Sequence, residues 1–188
     1  MANDDLFGKR DQEEDYFRRQ DRELIERMRK AAARDEAQQP LSARTGIHDP
    51  ELLRDINALG FTADTVSLLP LVPILQVAWA DAEISPAERK LIFEIARIRG
   101  VAAGSPADQQ LDQWLTHRPA PAVFTGAGRL VAAVLAAGAG TAQELSADDL
   151  VRYCESIAAA SGGILGLAKV SAVERDAITQ IEKALKSR

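Results

Sequence analysis

From residue 49 onward the chain is written in helix punctuation. Asp49-Pro50, Ser85-Pro86-Ala87-Glu88, Ser105-Pro106 and Ser171-Ala172-Val173-Glu174 each set a side-chain acceptor just ahead of an apolar-periodic run. Such acceptors take the first free backbone N–H groups of a helix, and a Glu three positions later reaches back to the N-cap N–H. Gly60 and Gly100 sit where two of these runs close. The pattern predicts helices over 50–59, 86–99, 106–118, 121–137, 147–160 and 172–186. A short helix over 62–69 is expected to stop at Pro70. The run 71–79 is apolar nearly all round, with Pro73 in its first turn, and reads as a buried central helix. No stretch sustains the period-two alternation of a half-buried strand. The fold class expected is all-α.

Ahead of this body lies a segment of different composition. Residues 1–40 hold 11 acidic and 9 basic side chains, against 17 and 14 in all the rest. Gln38-Gln39-Pro40 and the turn-rich stretch 42–46 mark the boundary. The expected organisation is an N-terminal amphipathic arm over 1–40, a linker over 41–46 and a helical domain over 47–188. Between Asp11 and Ala37 there is no Gly or Pro, and most residues are good helix formers. Phe17, Leu24, Ile25, Met28, Ala31 and Ala32 recur at helical spacing as one narrow stripe, and Glu23 and Arg27 stand at the favourable i,i+4 spacing. So narrow a stripe cannot fold a core alone. The helix waves in solvent, pairs with a second copy as a homodimer, or docks in the groove of a partner protein.

Composition removes several function classes. A formal charge of −5 lacks the basic face that nucleic-acid binding draws on, so no nucleic-acid partner is expected. One cysteine, Cys154, excludes an intrachain disulfide, and two histidines, His48 and His117, are too few for most His-based sites. Arg129 and several Gly and Pro residues interrupt the apolar run 120–140, so no membrane span is expected. The polar, acidic opening Met1–Asp5 is not a signal peptide, and a cytoplasmic location is the expectation. Gly126-Ala127-Gly128, Gly138-Ala139-Gly140 and the glycines of 161–166 follow no strand and precede no Gly-Lys-Ser/Thr. They read as helix ends and close helix contacts, not phosphate loops. Trp79 and Trp114 read as core anchors, and Cys154 as a buried small hydrophobe. No Ser/His/Asp or Cys/His constellation is present, and the chain is read as a non-enzyme.

The body also matches itself. Residues 80–92 (ADAEISPAERKLI) align without gaps on 166–178 (GLAKVSAVERDAI), with the capping Ser and Glu in register. Two related helix–loop–helix units are expected. Val77-Ala78-Trp79-Ala80-Asp81-Ala82-Glu83-Ile84-Ser85-Pro86-Ala87-Glu88-Arg89 resembles the signature of the TerB-like (tellurite resistance) helical domain family, and the resemblance extends over 47–188. It implies a helical bundle with a carboxylate-rich, cation-attracting surface that serves as a stress-response adaptor and not as an enzyme. Asp81, Glu83 and Glu88 are the candidate metal ligands. Ca2+ takes six to eight oxygens, which three carboxylates cannot supply, and the second copy places Leu167 and Lys169 at the positions of Asp81 and Glu83. The expectation is weak attraction of a divalent cation such as Ca2+. Ala82 stands where the family carries Gly.

The arm has a resemblance of its own. Phe7-Gly8-Lys9-Arg10-Asp11-Gln12-Glu13-Glu14-Asp15-Tyr16-Phe17-Arg18 is similar to the inhibitory segment of the mitochondrial ATPase inhibitor protein family, with a two-residue deletion in the acidic run. The resemblance covers 7–30. It implies regulation of the rotary ATP synthase, with Phe7, Glu13, Tyr16, Phe17 and Arg18 meeting the catalytic head and Ile25 and Met28 making apolar contacts farther along. The antiparallel coiled coil that completes that family is not present here; the helical body stands in its place. Three functions are therefore carried forward: an adaptor with a protein-binding arm, an ATPase regulator, and a structural homodimer joined through the arm's stripe.

Overall fold

A computed structural model describes residues 4–137, 145–160 and 170–186. Within it, the side chains of 4–17 and of five later arm positions (19, 31, 34, 35 and 37) are not described. Among the described residues every regular element is helical: α1 (Asp4–Thr45), α2 (Pro50–Ala58), α3 (Val72–Ala78), α4 (Pro86–Ile98), α5 (Pro106–Thr116), α6 (Pro121–Ala137), α7 (Ala147–Ala160) and α8 (Ala172–Lys186), with a 3-10 helix at Val66–Leu71. No described helix is long and apolar enough to cross a membrane. The chain divides into two compact units, Met1–Pro40 and Leu41–Arg188.

The helix starts form where the capping residues stand. Asp49 accepts from the Glu51 N–H at 2.8 Å, Ser105 from the Asp108 N–H at 3.2 Å and Ser146 from the Asp149 N–H at 3.0 Å. Gly60 and Gly100 follow their helices with φ of 89° and 81°, the left-handed conformation that glycine adopts without a Cβ clash.

Residues 41–45 of the expected linker are helical instead. Helix α1 runs through Pro40 to Thr45, although an interior proline costs a helix about 3 kcal/mol. Tertiary burial offsets that cost: Leu41 and Thr45 are both buried in the second unit. The Thr45 hydroxyl donates to the Leu41 carbonyl at 2.8 Å, and Gly46, at φ 63°, ends the helix. The second difference lies at Pro70. It sits inside the 3-10 helix, which leads directly into α3, where a stop after a short α-helix was expected.

Helix α3 is the centre of the second unit. Val72, Pro73, Ile74, Leu75, Val77 and Ala78 are all buried, and α4, α6, α7, α8 and the 3-10 helix pack against it. The glycines of α6 allow close approach. A Cβ on Gly126 would lie 2.8 Å from a Leu59 methyl, and one on Gly128 would lie 3.4 Å from the Ala184 Cβ. The other glycines read as close contacts, at 138–140 and 161–166, lie outside the described residues. Trp79 is 9% exposed, and its indole N–H donates to the Trp114 carbonyl at 2.9 Å; Trp114 in turn meets Phe61 edge-on at 5.6 Å. Both tryptophans anchor the core.

Leu75 is fully buried. Leu75→Ala is expected to destabilise the protein by about 2–5 kcal/mol, through lost transfer free energy and the cavity left behind. Denaturant unfolding of the two proteins measures it.

Candidate functional site

The loop between α3 and α4 carries the first candidate site. Its tight geometry is set by Ala82, at φ 69°, the one described non-glycine residue in the left-handed region. Asp81 and Glu83 flank it and are exposed. Glu88 is different: it is 2% exposed and its carboxylate accepts from the Ser85 N–H at 2.7 Å, while the Ser85 hydroxyl accepts from the Glu88 N–H at 3.2 Å.

The start of α8 repeats this geometry. Glu174, 1% exposed, accepts from the Ser171 N–H at 2.7 Å, and the Ser171 hydroxyl accepts from the Glu174 N–H at 3.2 Å. The same Ser171 hydroxyl donates to Asp81 Oδ1 at 3.1 Å across 90 residues of sequence. The two capping boxes thus stand beside one another. Burial pushes the Glu88 carboxyl above its ordinary value, its hydrogen bonds to Ser85 oppose that rise, and the carboxylates of Glu174 and Asp81 add to it.

This arrangement separates the three candidate ligands. Glu88 turns inward onto the backbone of Ser85, Asp81 holds Ser171, and Glu83 points to solvent. Among the described residues no three Asp, Glu, His or Cys side chains gather closely enough to hold a metal ion. Leu167 and Lys169, expected opposite Asp81 and Glu83, lie outside the described residues.

The arm carries the second candidate site. Helix α1 includes the whole segment Phe7–Arg18, but the side chains of Phe7, Glu13, Tyr16 and Phe17 lie outside the described residues. Farther along, Leu24, Ile25 and Met28 are 55%, 47% and 63% exposed. Arg18 is exposed as well, and its carbonyl accepts from Arg22 Nε at 3.0 Å. Glu23 and Arg27 form the expected i,i+4 ion pair at 3.3 Å.

Two further features went unread in the sequence. An apolar groove of about 280 Å³ lies between α3, α6 and α8, lined by Val72, Phe124, Ile181 and Leu185 with Gln76 and Gln180 at hand. Gln76 is the one polar residue of α3, and that was the available signal. On α4, Arg89 and Arg97 flank the Phe93 ring and reach across to Asp112 and Asp108 of α5, each at 2.6 Å. The Gly104 N–H and the Arg97 guanidinium hold the Asp108 carboxyl below its ordinary value. These pairs tie α4 to α5, and only their three-dimensional meeting reveals them. Cys154 is fully buried, and desolvation pushes its thiol up to about 12, which leaves it protonated and a poor nucleophile at neutral pH.

No family model matches the chain, and neither the curated proteins nor the solved structures contain a match to it.

Three predictions concern the loop. Ala82→Gly removes the Cβ clash of the left-handed conformation, which costs about 1–2 kcal/mol, and is expected to raise the melting temperature by a few degrees. Glu88→Ala leaves the Ser85 N–H without its acceptor and is expected to cost about 1–3 kcal/mol. Glu88→Gln keeps an acceptor and removes the charge. Because the folded-state pKa of Glu88 is raised, its contribution is full below the unfolded-state pKa and is lost as pH rises through the folded value. Wild type should therefore lose stability relative to Glu88→Gln as pH rises through and above the carboxylate range. Melts of both proteins between acid and neutral pH measure the gap.

Proposed function

We propose that this chain is a non-catalytic binding module: a helical body that carries a partner-binding arm. The observation that carries the reading is the exposure of Leu24, Ile25 and Met28 together on α1. Three large apolar side chains on one stretch of an otherwise charged helix are what a groove in a partner protein recognises.

The body is read as a TerB-like bundle of two pseudo-repeated helix–loop–helix units. The matching capping boxes at Ser85–Glu88 and Ser171–Glu174, with the same paired distances, support that reading. Its acidic loop is a weak attractor of divalent cations through Asp81 and Glu83, since Glu88 is committed to Ser85.

A second reading gives the partner a chemistry. The segment Phe7–Arg18, which resembles the ATPase inhibitor family, lies wholly on helix α1, the conformation in which a wedge enters an interface. In this reading the arm regulates ATP hydrolysis by the rotary ATP synthase, with Phe7, Glu13, Tyr16, Phe17 and Arg18 at the catalytic head.

A photo-crosslinking residue placed at Ile25 of the full-length protein, in its native host, tests the first reading. One discrete adduct to a different protein is expected from Ile25, absent when the crosslinker replaces exposed Glu94 and absent in a Leu24→Asp, Met28→Asp background; an adduct only to a second copy of the chain would contradict it. Equal adducts from both positions would contradict it. ATP hydrolysis by synthase heads of the host tests the second: inhibition by the intact protein, reduced at least about tenfold by Tyr16→Ala with Phe17→Ala, is the expected outcome. No inhibition by the intact protein would remove that reading and leave the adaptor.

A further inference from the structure

The arm is not uniformly charged along its length. Residues 4–17 hold six acidic and two basic side chains, and residues 18–34 hold three acidic and seven basic, so the two stretches carry net charges of −4 and +4. Both lie on the single helix α1. At 1.5 Å per residue they extend over roughly 21 Å and 25 Å, lengths that match one another closely. The second stretch also presents the exposed stripe of Leu24, Ile25 and Met28.

A surface that covers this helix must reverse sign along its length. An anionic bilayer would attract 18–34 and repel 4–17. A second arm laid antiparallel supplies the reversed order by itself: the −4 stretch of each copy lies along the +4 stretch of the other. A second arm laid parallel would set like charges together along the whole contact. Opposite charges on neighbouring helices choose partner and orientation in this way.

We propose that two copies of this chain pair through their arms, antiparallel, with residues 4–17 of one against residues 18–34 of the other. The pairing goes beyond the partner reading and competes with it for the same stretch of the arm, and it is tested separately because it is a property of the purified protein alone.

Sedimentation equilibrium of the full-length protein tests it. At about 0.1 mM protein and about 0.05 M salt the wild type is expected to be dimeric, with a dissociation constant that rises at least about tenfold when salt reaches about 0.5 M. Two charge-reversed variants, one with Arg18→Glu, Arg22→Glu and Arg29→Glu and the other with Asp11→Lys, Glu13→Lys, Glu14→Lys and Asp15→Lys, are each expected to be monomeric. Mixed in equal amounts, they should restore a heterodimer. A monomeric wild type under the low-salt condition would overturn the proposal. So would a dimer that salt strengthens, or reversed variants that dimerise as the wild type does. Should a variant lose its arm helix, the salt dependence of the wild type alone decides.

Discussion

Helix α3 is buried at every position but Gln76, and the arrangement of the second unit follows from that. An amphipathic helix needs one neighbour; a helix buried on Val72, Ile74, Leu75 and Val77 at once needs several around it. The helices α4, α6, α7 and α8 and the preceding 3-10 helix supply them. Each of those helices is amphipathic or glycine-thinned, so each buries its apolar side against α3 or a neighbour and leaves charge outside. The ion pairs Arg89–Asp112, Arg97–Asp108 and Arg129–Asp55 fasten outer surfaces to one another. Such exposed pairs orient more than they stabilise.

The paired capping boxes show how a local rule acquires a tertiary consequence. Each box alone satisfies two backbone N–H groups at a helix start. Standing beside one another, they bring Glu88 and Glu174 into a shared, water-poor environment, where burial and like charge both oppose ionisation of Glu88. The Ser171 hydroxyl links the α8 box to the loop before α4 by accepting from its own helix and donating to Asp81. A loop that reads as an open cluster of three carboxylates is, in space, one carboxylate committed to a cap, one to a serine and one to solvent.

The all-α class and most helix boundaries were legible because they rest on local chemistry. Asp49, Ser85 and Ser105 cap wherever they stand ahead of an apolar run, and Gly60 and Gly100 end helices whatever lies around them. The reading strayed where distant contacts overrode local preference. Pro40 marks a helix end by its missing N–H, but the burial of Leu41 and Thr45 carries α1 past it. Pro70 stands in a 3-10 helix for a related reason: Leu68, Leu69 and Leu71 are core residues on either side of it. For the candidate site, residue types were legible and their division of labour was not. The direction of Glu88 follows from its own capping box, whereas the bond from Ser171 to Asp81 joins residues 90 positions apart. The narrowness of the arm's stripe and the charge around it were legible, since both are sequence properties.

In the proposed function, Leu24, Ile25 and Met28 serve contacts made with another protein. Thermal unfolding of the full-length Leu24→Asp, Met28→Asp variant, at protein concentrations low enough to keep the chain monomeric, addresses that claim most directly. The account predicts a melting temperature within about 1 °C of wild type, as for an exposed surface substitution. A fall of several degrees would mean that the stripe is part of the protein's own core, and the partner-binding account would be wrong.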